Sequence, residues 1–223
     1  GIGRNTLFAN TSGSRNVAVG SFALDSLSTA TDNTSLGYES GQAITTASYN
    51  VLLGAEAGKA ATTGSNNTAI GYQCLKSNTI NTNIVAVGYQ ALENANNTST
   101  AETKLTAIGY QAGKATTTGS ENVYLGSYAA ADNTSGIRNV VIGHNAAKQQ
   151  TYLNYTTAIG TSSLYRLTGG DGYNTVVGIF SMPFATNTIH STAIGYLSGG
   201  DVTTGINNTF LGSQSGHSGT NNL

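Results

Sequence analysis

The stretch NNTAIGYQCL, residues 66–75, decides the fold because it does not stand alone. Nearly the same string returns as LTAIGYQAG from Leu105, STAIGYLSG from Ser191 and NVAVGSFAL from Asn16. The glycine after each aliphatic marks the copies: Gly3, Gly20, Gly37, Gly54, Gly71, Gly88, Gly109, Gly126, Gly143, Gly160, Gly178, Gly195 and Gly212. Of the twelve intervals ten are 17 residues, Gly88 to Gly109 is 21 and Gly160 to Gly178 is 18. A fixed period of this kind is the signature of stacked repeat architectures.

The surroundings of the glycine hold their character. The residue before it is always a branched aliphatic, and three places before it, from Val17 onward, stands Val or Thr. Three places after it the residue is always small, and Cys74 occupies one of these slots. β-Branched residues at alternate positions describe a short strand, and glycine ends it where a bend leaves no room for a Cβ. A unit of 17 residues cannot bury its own apolar row but can do so against its neighbours. The expected fold is all-β: a parallel β-solenoid or β-roll of about 13 coils, one per 17-residue repeat. Asn fills the fourth place before the glycine in eight of twelve copies, from Asn16 to Asn208, and reads as a corner residue stacked in an amide ladder.

The two β-branched positions are expected to face into the coil, which turns the residue between them outward. That position reads Ala18, Leu52, Ala69, Ala86, Ala107, Val141, Ala158, Val176, Ala193 and Phe210, with Ser35 and Tyr124 as the polar exceptions. A strand apolar on both faces is normally covered on both. These ten residues are therefore the expected seam of a side-by-side homotrimer, the chain being its own partner.

Only 9% of the chain is charged, against about 25% in ordinary domains. The net charge of −1 gives no electrostatic motive for a nucleic-acid partner. No run approaches 18 apolar residues, so no membrane insertion by a helix is expected. Residues 1–223 read as a single repeat domain, with an insertion near 93–103 and an irregular coil near 165–184. The chain starts and stops within repeats, so a fragment of a longer fibre is expected.

The N-[TV]-A-[IV]-G core resembles the repeat in the head of trimeric autotransporter adhesins, and the G-Y-Q-A-[LG] strings resemble arrays in bacteriophage tail fibres and other trimeric bacterial surface fibres. The resemblance implies a left-handed parallel β-roll, three chains packed side by side, and adhesion or receptor binding by an extracellular, cell-surface or virion fibre. The partner it implies is a host-surface glycan or protein. The adhesin-head repeat is usually shorter, and its Asn stands one place further from the glycine.

Catalytic signatures are weak, and the expectation is a non-catalytic protein without cofactor or metal. His144, His190 and His217 fall at different repeat phases and share no metal spacing. TGGDG (168–172) and SGGD (198–201) resemble calcium-binding β-roll loops but do not recur in tandem. Recognition is expected on the tyrosines after the glycine, Tyr38, Tyr72, Tyr89, Tyr110 and Tyr196, unless these rings merely stack along the edge of the rod. Glu93 in the insertion and Arg166 and Tyr173 in the irregular coil complete the candidate receptor surface. Two rival functions are an ice-binding β-solenoid, which requires outward threonines, and a polysaccharide-degrading tailspike, which requires paired carboxylates in a cleft.

Overall fold

The computed structural model describes residues 1–97, 102–167 and 172–218. Sixteen short strands are formed: β1 (Val17–Val19), β2 (Thr34–Leu36), β3 (Val51–Leu53), β4 (Thr68–Ile70), β5 (Val85–Val87), β6 (Thr106–Ile108), β7 (Val123–Leu125), β8 (Val140–Ile142), β9 (Gln149–Gln150), β10 (Thr157–Ile159), β11 (Arg166–Leu167), β12 (Thr175–Val177), β13 (Asn187–Ile189), β14 (Thr192–Ile194), β15 (Thr204–Ile206) and β16 (Thr209–Leu211). Twelve of them make one parallel sheet in the order β1-β2-β3-β4-β5-β6-β7-β8-β10-β12-β14-β16. Every pair is in repeat register: Thr68 lies opposite Val85, and Thr157 opposite Thr175. β9–β11 and β13–β15 are two-stranded ribbons elsewhere on the coil. The chain is a parallel β-solenoid of eleven coil-to-coil steps, slightly fewer than the thirteen coils expected. At the usual strand spacing of about 4.8 Å, its sheet is roughly 50 Å long.

Backbone bonds between coils run around the whole circumference. Thr68 N–H donates to Ile84 O (2.8 Å) and Gly71 N–H to Leu53 O (2.7 Å) within the sheet. Beyond the bend, Gln73 N–H donates to Ala55 O (3.0 Å) and Leu75 N–H to Ala91 O (3.0 Å). Besides the marker glycine, three positions per coil turn with positive φ: two and four places after the glycine, and five before it, as at Gln73, Leu75 and Asn66. Left-handed backbone costs a non-glycine residue about 1–2 kcal/mol, which the satisfied backbone groups offset. The marker glycines sit near φ +130°, and a Cβ on Gly54 would lie 2.5 Å from Gly71 O. No other residue fits a column stacked this closely.

The expected orientation of the strands is reversed. Ala18, Leu52, Ala69, Ala86, Ala107, Val141, Ala158, Val176 and Ala193 are fully buried inside the coil, and Phe210 packs against the same core near the end of the described chain. The flanking Val, Thr, Ile and Leu residues face outward. The reason is volume. This row meets the row four places after the glycine, which carries Leu24, Leu75, Leu92 and Leu164, so most of its members must be alanine. Where the strand residue is large, the facing positions shrink: Leu52 lies against Gly41 and Gly58, and Phe210 against Gly199 and Gly216.

The small slot three places after the glycine is buried as expected. There Ser40 Oγ donates to Leu52 O (2.9 Å), and Cys74 Sγ makes the same bond to Ala86 O (3.0 Å). The Asn ladder also forms. Asn33, Asn50 and Asn67 are buried, and each Oδ1 accepts from the backbone N–H of the next rung: Asn33 from Asn50 (3.0 Å), Asn50 from Asn67 (2.9 Å) and Asn67 from Ile84 (3.1 Å). The left-handed turn falls on the residue before the Asn.

Strands β5 and β6 pair in full register across the 21-residue interval, with Thr82 bridging to Glu102. Residues 98–101 of the expected insertion and 168–171 of the irregular coil lie outside the described residues, and with them most of TGGDG.

Candidate functional site

Turning the strands over moves the apolar seam to a different set of residues. The outward face of the twelve-stranded sheet carries two parallel rows. One runs Val17, Thr34, Val51, Thr68, Val85, Thr106, Val123, Val140, Thr157, Thr175, Thr192 and Thr209, and the other is aliphatic throughout, from Val19 to Leu211. Val17, Leu36, Val51, Ile70, Val85, Ile108, Val123, Leu125, Val140 and Ile194 keep 36–55% of their surface exposed. No charged residue interrupts either row. A size signal in the sequence could have located this face: in four of the six coils with alanine on the strand, those of Ala18, Ala69, Ala86 and Ala158, leucine stands four places after the glycine, whereas Leu52 and Phe210 have glycine there.

The candidate receptor residues fall into separate rows. Tyr72, Tyr89 and Tyr110 form a continuous stack, with ring centroids 5.4 and 5.1 Å apart. Tyr128 and His144 extend it edge-on. Because these rings stack on one another, their faces are largely occupied and their edges meet solvent. Tyr38 shares the row but contacts Phe22 edge-on at 6.3 Å. Tyr196 also stands in this row, separated from Tyr110 by four coils whose residue after the glycine is not tyrosine. Tyr173 belongs to a second ladder at the other end of the strands, between Tyr155 (4.7 Å) and His190 (5.0 Å). That ladder continues into charge, with Arg138 over Tyr155 and paired to Glu121 at 2.7 Å. Arg166 is exposed on β11, in a third row.

Glu93 is held in a polar network beside the tyrosine stack. Lys114 pairs with it at 3.4 Å and donates to Gln90 Oε1 at 3.0 Å. Gln111, Gln90, Gln73 and Glu56 form a side-chain ladder with donor–acceptor distances of 2.7–2.9 Å. Lys76 closes on Glu56 at 2.7 Å and Lys59 on Glu39 at 2.5 Å. The hydrogen bonds from Lys76 and Gln73 hold the Glu56 carboxyl below its ordinary range, as those from Lys59 and Tyr38 do for Glu39. Burial pushes the Cys74 thiol up to about 12, so it is a packing group and not a nucleophile at neutral pH.

The irregular coil contributes a pocket of about 330 Å³, lined by Asn145, Ser162, Tyr165, Phe180, Pro183, Phe184 and Leu197. The aromatic enrichment of residues 165–184 pointed to this stretch, but Arg166 and Tyr173 do not line it. Comparison with known proteins returned no match: no protein-family model, no curated protein and no solved structure is similar to the chain.

Proposed function

We propose that the chain is a structural and adhesive segment of a trimeric extracellular or virion fibre, working without catalysis. The observation that carries this reading is the outward face of the twelve-stranded sheet, apolar on every strand and left uncovered among the described residues. Parallel sheets are ordinarily covered on both faces, and exposed apolar patches of this extent mark interaction sites. The partner that best matches a strip of in-register parallel strands, one per coil, is another copy of the same strip, aligned along the rod. Two parallel rows suit a threefold arrangement, one row toward each neighbour. The resemblance of the N-[TV]-A-[IV]-G core to adhesin heads and tail fibres supports the same number and the same surface role. The seam in this reading is the Val/Thr and aliphatic pair of rows, in place of the buried alanine row. Light scattering at several concentrations tests it: the expected mass is three times the 22.7 kDa of the chain, and a stable monomer overturns it.

A second reading draws on the same face. The threonines of the outer row, among them Thr34, Thr68, Thr106 and Thr157, face outward and not into the coil as the sequence suggested. A flat, regular array of methyl and hydroxyl groups is what an ice-binding solenoid presents. A monomer that shows thermal hysteresis would put this reading in place of the fibre.

A further inference from the structure

We propose that the pocket at the irregular coil binds a ring of a neutral sugar. The pocket lies on the flank that follows the glycine bend, away from the apolar strip. Four successive coils contribute the same position to it, two places after the glycine: Asn145, Ser162, Phe180 and Leu197. Tyr165, Pro183 and Phe184 close it from the adjoining positions.

The sequence explains why the pocket occurs here. Five places after the glycine most other coils carry a polar or charged residue, such as Gln42, Lys59, Lys76 or Lys114. There the backbone N–H bonds back within the coil, as Lys59 does to Glu56 O (3.3 Å) and Lys114 to Gln111 O (3.3 Å). At this site the position holds Tyr165 and then Pro183, which has no N–H to donate. Ser162 is buried and short, and it leaves a floor between the larger Asn145 and Phe180.

The lining selects the ligand. No Asp, Glu, Lys, Arg or His lines it, so nothing recommends an anion or a cation. Three aromatic rings converge, and Tyr165, Phe180 and Phe184 are not stacked on other rings among the described residues, unlike the tyrosines of the two ladders. Phe180 and Phe184 are exposed, so apolar ring surface is offered to the C–H face of a pyranose. Hydrogen-bonding capacity is also present. Ser162 supplies a hydroxyl, Tyr165 a phenol, and Asn145 an amide. An apolar cleft with a few polar groups that set orientation is the usual form of a small-ligand site, and the volume lies at the small end of the usual range of about 300–1,000 Å³.

Saturation-transfer NMR on the whole chain tests the proposal. The probes are the methyl pyranosides of glucose, galactose, mannose and N-acetylglucosamine, with N-acetyl-phenylalaninamide as an aromatic rival. At least one pyranoside is expected to receive saturation, and Phe184→Ala and Ser162→Phe are each expected to reduce the signal at least fivefold. Phe is tolerated in that left-handed position elsewhere, at Phe22 and Phe180, so the second variant fills the pocket without reshaping the coil. Tyr49→Ala, an exposed ring on an early coil that does not line the pocket, is expected to leave the signal unchanged. The proposal is overturned by no transfer to any pyranoside, by transfer that survives both pocket variants or is lost with Tyr49→Ala, or by binding of the aromatic rival alone. None of these outcomes depends on the number of chains in the assembly, so failure here is separable from failure of the fibre reading.

Discussion

Tyr124 is fully buried on its strand, and Gly113 leaves the space it occupies: a Cβ on Gly113 would lie 2.6 Å from Tyr124 Cδ2. One coil earlier the same two positions are filled in the opposite sense, with Leu92 on the facing row and Ala107 on the following strand. Gly113→Ala is expected to destabilise by about 1–3 kcal/mol through overpacking, and Tyr124→Ala by about 3–5 kcal/mol through the cavity it leaves. The double variant Gly113→Leu, Tyr124→Ala reproduces the neighbouring solution and is expected to be less destabilised than Tyr124→Ala. Denaturant unfolding of the three variants measures the coupling.

The glycine column is a separate constraint. Gly54 has φ +133°, and its added Cβ would meet the carbonyl of Gly71. Gly54→Ala combines backbone strain with a backbone clash, neither of which a flexible side chain can relieve. A loss above about 2 kcal/mol is expected, visible as a lower melting temperature by circular dichroism.

The outer strip can be altered without disturbing the coil. Val85 and Ile108 are exposed in the single chain, so Val85→Lys with Ile108→Lys is expected to cost the coil roughly 0.5 kcal/mol or less per site. In a trimer, the same lysines would be buried charges without partners. The expected result is a monomer by light scattering with an unchanged β spectrum, whereas a variant that stays trimeric would place the interface elsewhere.

The buried thiol gives a direct probe of the core. Cys74 is fully buried and its pKa is pushed up to about 12. It is expected to resist alkylation in the native protein at mildly alkaline pH and to react fully once denatured. Mass spectrometry before and after denaturation reads the difference, and rapid native labelling would show that this coil opens.

Acid should loosen the charged flank. The Glu56 carboxyl is held below its ordinary 4.5 by hydrogen bonds from Lys76 and Gln73, and that of Glu39 by those from Lys59 and Tyr38. A carboxyl depressed on folding adds stability above its unfolded pKa and loses it as pH falls through the folded value. The melting temperature is therefore expected to stay level from neutral pH to about 5 and to decline below about 4.5. Both groups are close to solvent, so the decline is small. Glu56→Gln is expected to flatten it.

The repeat by itself determined the solenoid, its 17-residue coil, the parallel in-register sheet, the obligatory glycines, the buried small slot and the amide ladder. Each of these follows from residue type at a fixed period, because a stacked coil places every residue on its own equivalent 17 places away. What the period could not determine was which side of each strand faces inward. Alternation distinguishes two faces of a three-residue strand, and here both are apolar, so hydrophobicity favoured the bulkier Val, Thr and Ile as the core. The tertiary structure chose alanine, because the inside of so narrow a coil is already occupied by leucines from the row opposite. The same holds for the surfaces. The sequence put tyrosines at one phase, but only the packed coils decide that Tyr72, Tyr89 and Tyr110 cover one another's faces while Tyr165, Phe180 and Phe184 leave a pocket between them.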